Sequence, residues 1–127
     1  HHRIFSNYGV ILQDLGHFEE AENCYRKAIE LKPDFAEAHS NLGGILKILG
    51  KLRKAKISTL KAIELKPDFA DAYLNNGNIL MDLGDLKDAE SSIRKAIELK
   101  PDLIDAHLKL GEILSELGIL FQFCMEI

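Results

Sequence analysis

The sequence predicts an all-α protein built as an array of stacked helical hairpins, and three observations lead there. The stretch ELKPDFA at 30–36 returns letter for letter at 64–70, and ELKPDLI follows at 98–104, always 34 residues on. Between these copies apolar residues recur at helical spacing. Glycine, glycine, alanine, alanine and proline also fall in the same columns of successive copies. Self-similarity at such a period marks units too small to bury their apolar faces alone, which therefore stack. Aligned on the period, the chain reads as one domain over 1–127, with repeats near 2–35, 36–69, 70–103 and 104–127, the last incomplete and atypical.

Each unit opens with an amphipathic helix, as in Ala38, Leu42, Ile45, Leu46 and Leu49 or Ala72, Ile79, Leu80 and Leu83. Gly16, Gly50, Gly84 and Gly118 are expected to close these helices as left-handed residues. A second helix follows, carrying Phe18, Ala21, Tyr25, Ala28 and Ile29 in the first unit and Leu86, Ala89, Ile93, Ala96 and Ile97 in the third. Pro33, Pro67 and Pro101 cannot continue it and push the preceding lysine away from helical dihedrals. Asp34, Asp68 and Asp102 are then expected to cap the next helix, with Glu37, Asp71 and Asp105 favouring its positive end. Gly9, Gly43, Gly77 and Gly111 stand inside first helices, where glycine costs about 0.5–1 kcal/mol relative to alanine. A close crossing against Ala21, Ala55 and Ala89 would repay that loss.

Composition limits the function classes. The hydrophobic share of 46% and charged share of 28% are those of an ordinary folded domain. No apolar run is long enough for a membrane span, and no secretory leader is read at the start. The opening His1 and His2, without methionine, read as the remnant of a purification tag, and the chain as a fragment. Cys24 and Cys124 have neither metal-ligand nor disulfide spacing, so they read as reduced thiols and the compartment as the cytoplasm. A net charge of −4 and a pI near 5.7 argue against a nucleic-acid partner. The glycines follow the hairpin period rather than forming a phosphate loop, and His39 and His107 share a column with Tyr73, which suits packing better than catalysis. No catalytic residue, cofactor or metal site is expected.

Helical hairpins of 34 residues with this residue order resemble the tetratricopeptide repeat family. The second unit carries Leu42, Gly43, Leu46, Gly50, Leu52, Ala55, Ala62 and Pro67; the third carries Tyr73, Gly77, Leu80, Gly84, Leu86, Ala89, Ala96 and Pro101. The resemblance implies a right-handed superhelix whose first helices line a concave groove and whose second helices form the back. It also implies capture of a peptide or protein segment in that groove.

On that reading the groove carries Ser6, Asn7, Ser40, Asn41, Lys47, Leu74, Asn75, Asn78, Met81 and Lys109. Asn7, Asn41 and Asn75 occupy one column, broken at Lys109. Side-chain amides both donate and accept, so such a column can pair with the backbone of an extended peptide. It is similar to the asparagine ladder of the O-GlcNAc transferase superhelix; the alternative is a set of solvated residues inherited by duplication. A subfamily of these repeats grips a C-terminal carboxylate with groove cations, but Ser6, Ser40, Leu74 and Leu108 stand at those places, so that clamp is not expected. The acids Glu37, Asp71, Asp105, Glu112 and Glu116 would favour a neutral or basic ligand.

Two features depart from the repeat. The second unit is net positive through KLRKAK at 51–56, which reads either as an anionic-ligand patch or as structural pairing in the rows Glu20, Lys54, Asp88 and Glu22, Lys56, Glu90; the structural reading is preferred. The fourth unit ends GILFQFCMEI, with Phe123 in the alanine column facing Gly111. Lacking a polar cap, Ile119, Leu120, Phe121, Phe123, Met125 and Ile127 are either a frayed end or, preferably, a surface for homo-oligomer formation. The function that follows is a noncatalytic scaffold binding a peptide or protein segment. The alternatives are the substrate-recruiting part of a larger enzyme, such as a glycosyltransferase, and a self-assembling module.

Overall fold

The computed structural model describes residues 1–126, the side chains of Leu120, Phe121 and Phe123 excepted. Seven helices follow one another: α1 (His2–Asp14), α2 (Phe18–Leu31), α3 (Ala36–Ile48), α4 (Leu52–Leu65), α5 (Ala70–Leu83), α6 (Leu86–Leu99) and α7 (Ile104–Glu126). Each packs on the next in sequence, and α1, α3, α5 and α7 also touch one another in turn. No such contact joins α2, α4 and α6 among the described residues. An array held closer along its first helices than along its second curves toward the first. The odd-numbered helices therefore form the inner face, and α2, α4 and α6 the back.

The turns inside the hairpins come from backbone chemistry. Gly16, Gly50 and Gly84 take φ of 83°, 81° and 84°, the left-handed region that a side chain disfavours. The His17 N–H reaches back to the Leu12 carbonyl at 2.8 Å and Gly16 N–H to Gln13 at 3.0 Å, the paired bonds that satisfy the orphan carbonyls of a helix end. Lys51 and Asp85 repeat the longer of these bonds to Leu46 and Leu80.

Between hairpins the chain behaves differently from the sequence expectation. The lysines before proline are extended as predicted, with Lys32, Lys66 and Lys100 at φ near −144°, −142° and −143°. The aspartates, however, do not cap. The Lys32 carbonyl accepts from the Phe35 N–H at 3.1 Å, which makes Pro33 and Asp34 the central residues of a β-turn; the second and third copies close identically through Phe69 and Leu103. The cap position falls on Phe35 and Phe69, which have no side-chain acceptor, and Asp34 and Asp68 stand one residue too early. The repeated lysine and phenylalanine serve each other: Lys66 Nζ lies 4.8 Å from the Phe69 ring centre and also pairs with Glu37 at 3.5 Å. His39 and His107 donate Nε2–H to the Pro33 and Pro101 carbonyls at 2.8 and 2.7 Å, tying helix to turn. His2 is half-buried with its ring edge-on to Phe35, part of α1 rather than a loose tag remnant.

Helix crossings explain the internal glycines. Ala21, Ala55 and Ala89 are fully buried, as the close approach requires. The side chain that fills the glycine's vacancy stands one turn further on. A Cβ at Gly9 would lie 2.7 Å from Tyr25 Cε1; at Gly43 it would strike Thr59 Oγ1 and come within 3.2 Å of the Ala55 carbonyl; at Gly77 it would strike Ile93. Tyr25, Thr59 and Ile93 are wholly inaccessible, and Thr59 satisfies its hydroxyl on the Ala55 carbonyl at 2.9 Å. At Gly111 nothing comes within 4 Å.

That last point corrects the fourth unit. Gly118 does not close a helix: α7 runs on through it to Glu126, and its φ is not positive. The earlier turns are followed by His17, Lys51 and Asp85 and then by a helix whose alanine meets the glycine crossing. Here Ile119 follows, and the alanine column holds Phe123. With no small residue to return to Gly111, the helix gains more by continuing than by turning. The expected steric conflict at Phe123 itself lies outside the described side chains.

Two measurements check this account. Gly43→Ala is expected to destabilise the fold by about 1–3 kcal/mol through overpacking at Thr59. Gly111→Ala should instead stabilise by about 0.5–1 kcal/mol, because it adds helix propensity in open space; both are read from urea midpoints. Burial, with Asp14 and then Cys24 nearby, pushes the Tyr25 phenol up to about 12, above the ordinary value near 10. Folding thus favours the neutral phenol, a stabilisation complete below about pH 10 and lost as pH rises through 12. Alkaline unfolding in that window should be shallower for Tyr25→Phe, which cannot ionise.

Candidate functional site

The inner face is where the odd helices expose side chains between their packing positions. The structure sorts the ten residues expected there into three groups. Asn7 is exposed; Asn41, Lys47, Asn75, Asn78, Met81 and Lys109 are half-buried. Ser6, Ser40 and Leu74 are buried, at 5%, 2% and 9% exposure, which corrects their assignment as ligand contacts. The reason is the contact between consecutive first helices: a position between two such helices is covered by the neighbour, however polar it is.

Covered residues still shape the surface. Asn75 Nδ2 donates to the Ser40 carbonyl at 3.3 Å and to Ser40 Oγ at 3.1 Å, so α3 fixes the amide presented by α5. Lys47 pairs with Asp82 at 3.3 Å across the same two helices, and Lys109 with Glu112 at 3.5 Å within α7. Asn78 Oδ1 is buried without a partner among the described residues. Sequence periodicity carries no sign of the Asn75–Ser40 bond, because it depends on the distance between helices 35 residues apart. Among the acids, Glu37 and Glu112 are engaged by Lys66 and Lys109, while Asp71, Asp105 and Glu116 enter no ion pair among the described residues.

On the back, the expected charge rows do not form. Glu22 is held by Arg26 at 2.9 Å and by Lys51 at 3.3 Å, and Glu90 by Arg94 at 2.9 Å and Lys87 at 3.8 Å. Burial raises the Glu22 carboxyl, but its bonds from Arg26 and Lys51 outweigh this and hold it below its usual range. Lys54 and Lys56 reach neither row because α2, α4 and α6 stand apart on the outer side of the curve. Between α4 and α6 the gap is a cleft of about 340 Å³, floored by Tyr73, Asn76 and Leu80.

Of the residues assigned to self-association, Ile119 and Met125 are 66% and 71% exposed. Leu120, Phe121, Phe123 and Ile127 lie outside the described side chains. Cys24 and Cys124 are free thiols. No helix among the described residues is long and apolar enough to cross a membrane, and no group of three or more candidate metal ligands is found among them.

Comparisons with known proteins agree with this geometry. Comparison of the sequence with curated proteins finds no match. Among solved structures, the TPR domain of Sgt2 from Aspergillus fumigatus superposes with a TM-score of 0.91 at 18% identity, over 95% of this chain and 82% of that one. The first TPR of Spaghetti (RPAP3), bound to the HSP90 peptide SRMEEVD, gives 0.87 at 23% identity over 92% and 93%. An O-GlcNAc transferase of Thermobaculum terrenum gives 0.86 at 26% identity, over 89% of this chain but 22% of that one. The family model for the TPR repeat matches residues 9–55 and 77–118, the greater part of the sequence. Those matches fall on the hairpins described above, and the chain belongs to the TPR repeat family.

Proposed function

We propose that this chain acts in the cytoplasm as a noncatalytic interaction module that receives an extended peptide or protein segment along the inner faces of α1, α3, α5 and α7. The observation that carries this reading is the column Asn7, Asn41 and Asn75, one amide per first helix, with Asn75 oriented by Ser40. Because Ser40 takes the Asn75 donor, Oδ1 is left to accept from a ligand N–H. Contacts to backbone rather than side chains hold a segment with little regard to its sequence, and Asp71, Asp105 and Glu116 favour one that is neutral or basic. The RPAP3 structure, which holds an HSP90 peptide, supports a peptide as the ligand class. A carboxylate clamp is not part of the proposal, since Ser6, Ser40 and Leu74 are buried and Leu108 is apolar.

Two further readings have their own support. The likeness to 22% of an O-GlcNAc transferase chain favours a substrate-recruiting role within a larger enzyme. The uncovered Gly111 and the exposed Leu114 and Ile119 of α7 favour self-association.

Replacing Asn7, Asn41 and Asn75 together by alanine should weaken capture of an unstructured, weakly basic peptide by about tenfold or more, at roughly 0.5–1.5 kcal/mol per lost hydrogen bond. The thermal midpoint should change little, because the amides are at the surface. Calorimetry on both proteins checks this, and unchanged affinity would remove the ladder. Sedimentation over a range of concentrations separates a monomer from the self-associating form.

A further inference from the structure

The back of the array contains one helix unlike the others. In α2 and α6 the outward stripe is polar and internally paired: Glu22 with Arg26 and Glu90 with Arg94, both at 2.9 Å, with Asn23 and Ser91 beside them. The equivalent places in α4 hold Lys56, Leu60 and Ile57. Ile57 is 69% exposed and Leu60 45%, and neither joins a hydrophobic cluster of the core. Arg53 and Lys54 continue the stripe one turn toward the N-terminus, exposed and, like Lys56, without an ion pair among the described residues. Residues 53, 54, 57, 60 and 61 share one helical face, so two apolar side chains sit inside a basic border.

We infer that this face of α4 is a second docking surface, separate from the inner groove, and that its occupant is an acidic amphipathic helix of another protein. The apolar pair would anchor its leucine-type residues, and Arg53, Lys54 and Lys56 would meet its carboxylates. Charge selects the occupant. The protein is net acidic, at −4, so a locally basic strip attracts acidic partners against the overall field. The strip is also narrow, with Glu19 and Glu20 exposed on α2 to one side and Asp88 on α6 to the other. A flat anionic membrane would meet those acids together with the cations. A single helix lying along α4 meets the strip alone.

The test uses the full chain and a capped helical peptide with leucines at i, i+3, i+4 and i+7 flanked by glutamates, against a scrambled peptide of the same composition. Vesicles of phosphatidylserine and phosphatidylcholine form a separate arm. The patterned peptide is expected to bind about tenfold or more tightly than the scramble, less so at high salt. The triple variant Lys56→Glu, Ile57→Asn, Leu60→Arg copies residues that α2 already folds with, and should lose that preference at unchanged helix content. Alanine at Asn7, Asn41 and Asn75 should leave it intact, which separates this surface from the groove. Equal affinity for both peptides, retention of binding by the copied variant, or binding to vesicles without binding to the peptide would each overturn the inference.

Discussion

The fold depends on how closely two helices of a hairpin can cross. A helix interior gives up stability to hold glycine, and here three first helices hold it at the same place because Tyr25, Thr59 and Ile93 occupy the space a Cβ would need. The fully buried Ala21, Ala55 and Ala89 lie one turn away on the same second helices. Each crossing fixes the separation and register of its hairpin, so successive hairpins present matching surfaces and can stack. Where the crossing is missing the hairpin is missing too, as the uninterrupted α7 beside an unoccupied Gly111 demonstrates.

Curvature follows from the same constraint. Small residues at the crossings keep each hairpin thin, first helices touch first helices, and second helices are held apart. The inner edge is therefore compact enough to bury Ser6, Ser40 and Leu74 and to let Ser40 position Asn75. The outer edge is open enough to leave a cleft between α4 and α6. Ion pairs such as Lys47–Asp82, Lys51–Glu22 and Lys66–Glu37 cross between elements, but at about 0–1 kcal/mol each they adjust register rather than create it.

What was legible in the sequence was whatever has a local cause. Left-handed glycines, lysines forced extended by proline, and apolar residues at helical spacing all act within a few residues, and the period multiplied the signal. What escaped depends on distances between elements or on one backbone bond. Asp34 looked like a cap, but the Lys32 carbonyl takes the Phe35 N–H and moves the helix start one residue on. Helical periodicity gave the direction of Ser40 and Leu74 correctly, yet could not give their depth, which the adjoining helix decides. The charge rows failed for the opposite reason, since equivalent residues on second helices are separated by the curvature. Gly118 failed because glycine permits a turn without requiring one. The residue that follows and the helix that would return have to make the turn worthwhile.

A duplicated chain also carries its own control. Where all units agree, the shared packing explains the residue; where one unit departs, the departure has to be accounted for by what that unit does alone. The change at α4 replaces an i, i+4 acid–base pair, worth about 0.3–0.5 kcal/mol, by a lysine and a leucine, and adds an isoleucine in water. Nothing in the interior gains from it: the buried face of α4, with Ala55, Thr59 and Ala62, is as well packed as those of α2 and α6. A surface that gives up its internal pairing and exposes apolar groups, while its core face is unaltered, has had its chemistry set by something outside the fold.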